Sequence, residues 1–195
     1  MQKLNLILII FFLDFLLIFI NAADVVVYPR TTGYPYPCPI PKTGQTISYA
    51  TNDDGWNSTN IGIAWPTTRF TIQSNTNCVR DNLTGLIWAR NANLFSQQTW
   101  SNSLASCNNL DYGDQTDWRM PNMNEMISLI DLANNQPPLP TGHPFNNVLA
   151  GGGDYYWVST TYSLSLAGWG VNPYSGNRNV VAKTEQQYVW PVRGP

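Results

Sequence analysis

Few side chains here have the chemistry to catalyse anything. The chain has one histidine, His143, set between Gly142 and Pro144 with no Gly-x-Ser-x-Gly elbow to supply a nucleophile. Its three cysteines, Cys38, Cys78 and Cys107, show no CxxC spacing, and no second histidine exists to complete a metal site. Asn52-Asp53-Asp54-Gly55 has the oxygen ligands for a cation but also the composition of a tight turn, which is the preferred reading. No metal or cofactor is expected, and the chain is expected not to be an enzyme. The residues best suited to chemistry of another kind, recognition, lie between 162 and 178. Tyr162, Trp169, Asn172, Tyr174, Asn177 and Arg178 are polar or aromatic in excess of what a core pattern requires. Aromatic faces stack on sugar rings, while amides and guanidinium groups hydrogen-bond hydroxyls. The competing reading is an ordinary hairpin with Trp169 in the core.

The elements that must position these residues follow from periodicity. Arg69 to Ile72, Cys78 to Arg80 and Leu86 to Arg90 alternate as short strands around turns at Asn75–Asn77 and Asp81–Gly85. At Thr99 the period becomes helical: Trp100, Leu104, Cys107 and Leu110 share a face, with Thr99 as N-cap. A second helix starts at Asn122, where Asn122 and Glu125 make a capping-box pattern before the stripe Met126, Leu129 and Ile130. Strand signals resume over 155–161, 168–171, 179–182 and 187–193. Strands, two helices and further strands predict an α+β domain with a small mixed, mainly antiparallel sheet. Cys78 and Cys107, in a predicted strand and a predicted helix of the same half, are expected to form a disulfide, leaving Cys38 over as a free or intermolecularly paired thiol. Closing that loop of about 30 residues would stabilise the fold by about 3–4 kcal/mol.

Composition sets the compartment and excludes whole function classes. Residues 1–22 place Lys3 before an apolar run from Leu4 to Ile20, interrupted by Asp14, and end near Ala22 and Ala23. This order is that of a secretory signal, with an uncleaved N-terminal anchor as the alternative. Residues 23–41 are a Pro-rich linker containing Cys38, and residues 42–195 form the domain, placed outside the cytoplasm in the extracellular, cell-surface or periplasmic space. Charged residues are only 11% of the chain and the net charge is −2, so an electrostatic nucleic-acid binder is excluded. Eight Trp and ten Tyr demand a folded core.

Taken together, Pro41-Lys-Thr-Gly-Gln-Thr46, Asp81-Asn-Leu-Thr-Gly-Leu-Ile-Trp88, Asp117-Trp-Arg-Met-Pro121 with Asn124-Glu125, Tyr156-Trp-Val-Ser-Thr-Thr161 and Tyr188-Val-Trp-Pro-Val-Arg193 resemble the Lcl C-terminal domain family over residues 41–194. That family is named for the C-terminal domain of a bacterial collagen-like adhesin that binds sulfated glycosaminoglycans. The resemblance implies a C-type-lectin-like fold, shared in outline with formylglycine-generating enzymes, and no catalytic residues. This chain has neither the collagen Gly-X-Y repeat nor the late cysteine pair those enzymes use for copper. Trp88, Trp118, Trp157 and Trp190 read as core. Arg119 with Glu125, and Arg193, read as structural ion pairs, and Asn82, Thr84 and Gly85 as turn chemistry.

The resulting expectation is an exported ligand-binding or adhesion domain that recognises a glycan or a host or matrix polymer. The alternative is a structural envelope or surface protein acting through protein contacts, including homo-oligomers. Scarce Lys and Arg weigh against a sulfated polymer and leave a neutral glycan or a protein as partner. The missing lectin calcium signatures weigh against sugar binding through calcium.

Overall fold

The computed structural model describes residues 40–56, 62–149, 151–163 and 166–194. The expected leader, most of the Pro-rich linker and Cys38 lie outside the described residues. Among the described residues, seven strands and two helices follow in the order β1 (Phe70–Ile72), β2 (Cys78–Asp81), β3 (Ile87–Ala89), α1 (Trp100–Asn108), α2 (Met123–Ser128), β4 (Tyr156–Thr161), β5 (Ala167–Val171), β6 (Arg178–Ala182) and β7 (Val192–Arg193). This is the α+β organisation expected. The sheet expectation needs correction, because the strands form two sheets, ordered β1-β2-β3-β7 and β4-β5-β6, and every ladder is antiparallel. Parallel pairing survives only as isolated bridges such as Tyr156 with Tyr188.

The C-terminal segment joins the two sheets. Gln187 exchanges backbone hydrogen bonds with Gln98, and Tyr188 donates to the Tyr155 carbonyl and accepts from Trp157 N. Four residues later Val192 exchanges bonds with Arg119 while pairing with Trp88 in β3. One predicted seven-residue strand is therefore a connector whose last two residues alone form β7.

Alternation along β4 divides the core. Tyr156 and Val158 face a large cluster containing Trp88, Trp118, Trp190 and Leu129, whereas Trp157 between them faces a smaller one with Cys107, Met120 and Val189. All four tryptophans read as core are buried, and Trp190 meets Trp88 and Phe145 edge-on at 5.7 and 4.8 Å. Both helix starts are capped as the sequence predicts. Thr99 accepts from Asn102 N, and Asn122 and Glu125 each accept from the other's backbone N–H. Helix α2 is short, but Leu129 and Ile130 of its predicted stripe remain buried just past its end.

The expected disulfide is not formed, and both thiols are free and buried. Cys107 sits in the smaller cluster, while Cys78 packs in the larger one, 3.5 Å from the Asn75 side-chain amide. Strand and helix belong to the same half of the chain but place the two sulfurs in different cores. Burial pushes the Cys107 thiol up to about 12 and raises Cys78 as well, so both stay protonated and unreactive.

Candidate functional site

The β5–β6 hairpin carries the residues that the sequence singles out. Its register sets Trp169 opposite Val180 and Val171 opposite Arg178, so Arg178 is diagonal to Trp169 on the same face. Trp169 is half-buried against the large cluster and meets Tyr162 edge-on, with ring centroids 5.6 Å apart. Asn177 and Arg178 are exposed, and Tyr174 is half-buried.

Asn172 does not belong to this surface and is withdrawn from the ligand set. It is 1% exposed, and its side chain builds the turn. The amide donates to the Gly151 and Gly152 carbonyls at 3.2 and 3.1 Å, and its oxygen accepts from Tyr174 N and Ser175 N at 2.6 and 3.2 Å. No hydrogen-bonding capacity is left for a ligand. The turn closes through Gly176, whose φ of +73° suits glycine.

The charged pairs hold structure, as the sequence reading assigned them. Arg119 donates twice to Glu125, at 2.7 and 2.6 Å, and once to the Gly194 carbonyl. Burial alone would raise the Glu125 carboxyl, but the bonds from Arg119 and Asn122 N and the guanidinium charge hold it below its ordinary value. Arg193 pairs with Asp117 at 2.5 and 3.0 Å, which lowers the Asp117 carboxyl. Asp53 spends its carboxylate on Tyr49, Ala50 and Trp56 backbone N–H groups, so the 52–55 segment is the turn. In the 81–86 turn Asp81 accepts from Leu83 N and from the Thr84 hydroxyl, and Gly85 has φ +78°.

A second surface was missed by sequence reasoning. The segment 65–72 and the loop 140–144 enclose an open groove of about 840 Å³, with Trp65, Arg69, Phe70, Asp131, Thr141 and His143 among its lining residues. Arg69, taken as a strand residue, is 7% exposed. Its Nε and Nη2 donate to Asp81 at 2.8 and 3.0 Å, and Nη2 also donates to the Ser128 carbonyl at 2.6 Å. The Trp65 ring lies over the guanidinium at 4.4 Å. His143, taken as a loop residue, is half-buried beside Phe145, and burial lowers its pKa. Arg69 Nη1 and His143 Nδ1 are buried without a partner. A basic residue at the start of an alternating strand reads as surface, so no local pattern marks Arg69 as buried.

A family model, that of the Lcl C-terminal domain, matches residues 77–193. The match takes in every motif quoted above except that at 41–46, and it includes the hairpin and the 140–144 loop but not the segment 65–72. No curated protein matches the chain significantly.

Proposed function

Given that the chain belongs to the Lcl C-terminal domain family, we propose that it is a non-enzymatic ligand-binding domain of the surface-associated, adhesin-like kind, recognising a glycan or a matrix polymer. The observation that carries this reading is the β5–β6 face, where the Tyr162–Trp169 pair stands with Arg178 diagonal to it and Asn177 exposed at the turn. A half-buried indole held from behind by the core is a rigid platform that loses little entropy on binding. Two helices with two small antiparallel sheets are in keeping with a C-type-lectin-like scaffold, in which loops and hairpins rather than a catalytic cleft meet the ligand. Among the described residues no helix is long and apolar enough to cross a membrane, and the N-terminal segment carries the reading of export or anchoring.

The ligand class is narrowed by charge. Arg69, Arg119 and Arg193 are each committed to a carboxylate in a domain that is already short of cations. A polymer dense in sulfates needs clustered free Lys and Arg, which favours an uncharged glycan or a protein here. Glycan-array binding of the full chain and of a Tyr162→Ala, Arg178→Ala double variant tests the surface. Weakened binding of at least one glycan is expected in the variant, and undiminished binding of every glycan removes the hairpin from consideration. A structural role through homo-oligomer contacts has one observation in its favour, the 83% exposed Leu166 at the start of the hairpin. Light scattering decides it, since a monomer at working concentration excludes that role.

A further inference from the structure

The groove between segment 65–72 and loop 140–144 plays no part in the hairpin reading and shares no lining residue with it. We propose that this groove is a second binding site, built for a neutral, hydroxyl-rich ring such as one residue of an uncharged glycan. The proposal shares with the function above only the premise that the domain binds a ligand rather than transforms one.

Arg69 is the central observation. Folding has buried a guanidinium, satisfied Nε and Nη2, and left Nη1 with nothing to donate to. Buried donors are seldom left so, because the unmade bond forfeits water without a replacement. Nη1 has no accessible surface in the free protein, so a ligand oxygen that accepts from it recovers that loss as the exposed Thr67–Thr68 wall of the groove shifts. His143, which also lines the groove, holds the second such atom, its Nδ1 being buried without a partner. Its imidazole is neutral near pH 7, since burial holds its pKa below the ordinary value, and a neutral imidazole has one donor nitrogen and one acceptor nitrogen. A hydroxyl, which both donates and accepts, suits either tautomer.

Charge then decides which oxygen-bearing ligand fits. Asp81, fully buried, already neutralises Arg69, and Asp131 adds a further carboxylate to the lining. An incoming sulfate or carboxylate would meet a directional N–H but no net positive field, so an anion gains little there. A cation fares no better, because the Asp131 oxygens already accept from Ala133 N at 2.9 Å and from the Asn134 side-chain amide at 2.8 Å. What remains is an uncharged polyol. Trp65 and Phe70 line the groove and, with one face of each turned to the Arg69 guanidinium, offer a sugar ring their remaining aromatic surface, while Thr67, Thr68 and Thr141 supply hydroxyls along the groove. The volume lies within the roughly 300–1,000 Å³ that small-ligand clefts occupy.

The chain's single histidine makes a direct test. The imidazole resonances of the ¹⁵N-labelled full-length chain are followed while cellotriose, maltotriose or chitotriose is added to about 10 mM, above a millimolar Kd. Glucuronic acid and inorganic sulfate are the charged probes. A saturable shift of the His143 ring with at least one neutral trisaccharide and with neither charged probe is expected. Trp65→Ala, or Thr141→Val on the opposite wall where Trp65→Ala does not fold, is expected to weaken that binding about tenfold. The Tyr162→Ala, Arg178→Ala variant is expected to leave it unchanged. A silent His143 with every neutral saccharide overturns the proposal and leaves the groove a water-filled crevice only. If trisaccharides bind but act through Tyr162 and Arg178, the groove is overturned while the hairpin reading stands. A shift with sulfate or glucuronate alone overturns the assignment of ligand class.

Discussion

In the sheet β1-β2-β3-β7 the side chains that tie strands to their surroundings are charged: Arg69 grips Asp81 at the β1–β2 end, Arg193 of β7 grips Asp117, and Arg119, bonded through its backbone to Val192, grips Glu125. The sheet β4-β5-β6 is tied by close approach instead. Gly168 and Gly170 of β5 leave the space that the Trp100 and Trp157 rings and Tyr155 occupy, and Trp100 Nε1 donates to the Val158 carbonyl at 2.9 Å. The two sheets therefore fail differently. A sheet held by ion pairs is sensitive to removing a partner and to acid, whereas one held by glycine against tryptophan is sensitive to added atoms.

Breaking the buried pair is expected to have the largest effect. Asp81→Ala strands the Arg69 charge in the core and also removes the acceptors of Leu83 N and the Thr84 hydroxyl. A loss of about 3–5 kcal/mol is expected, read as a shift of the urea midpoint without a change in slope. A loss under about 1 kcal/mol would show that Arg69 reaches solvent and would undo the contrast between the sheets.

Next comes the steric sheet. A Cβ on Gly168 would lie 2.9 Å from Trp100 Cδ1, 3.1 Å from its Nε1 and 3.3 Å from Trp157 Cζ3. Trp100 cannot retreat without giving up its bond to Val158, so Gly168→Ala is expected to cost about 1–3 kcal/mol by thermal or urea unfolding. Gly152→Ala, where an added methyl meets nothing within 4 Å, is the control and is expected to stay within about 0.5 kcal/mol. Equal effects at the two glycines would mean that β5 needs backbone freedom rather than space.

The contrast between the sheets also separates what the sequence reveals from what it hides. Local elements were legible because each rests on local chemistry: the Thr99 and Asn122 caps and the alternation of Tyr156, Trp157 and Val158 place the starts of α1, α2 and β4 within a residue. Pairing at long range was not legible. Nothing around Val192 indicates that it joins Trp88, or that Tyr188 bridges the other sheet, so one sheet was expected where two exist. Cys78 and Cys107 were paired on the same reasoning and fall in different cores. Within the hairpin, polarity alone could not separate Asn172, buried as a turn hub, from exposed Asn177. The groove was invisible because its walls come from segments about 70 residues apart, and burial of Arg69 is a property of the assembled walls.

Acid sharpens the comparison at the flank of the first sheet. Glu125 is held below its ordinary pKa, so its contribution is present in full above about pH 4.5 and declines as pH falls through the lower folded value. The sign follows from proton counting, since in that window the unfolded chain binds the proton more readily than the folded one. Glu125→Gln is expected to cost on the order of 1 kcal/mol at pH 7, with the deficit shrinking towards pH 3. Urea midpoints of wild type and variant between pH 3 and 7 measure the difference, and parallel curves would exclude Glu125 as the titrating clamp.

The smallest effect is expected at Asp117. Its pair with Arg193 has the same bidentate form as the buried pair of Arg69 with Asp81, but the Asp117 side chain is 59% exposed where that of Asp81 is wholly buried. Water competes for the carboxylate and salt screens it, so geometry that is decisive in the core is worth little at the rim. Asp117→Ala is expected to change stability by no more than about 0.5 kcal/mol in the same urea assay, and less at high salt. Because the two pairs share donor, acceptor and bidentate form, the ratio of their effects measures burial together with the Leu83 and Thr84 bonds that Asp81 also accepts. A cost at Asp117 approaching that at Asp81 would mean that Arg193 fixes the register of β7 itself, and that the first sheet depends on its charged rim as much as on its buried pair.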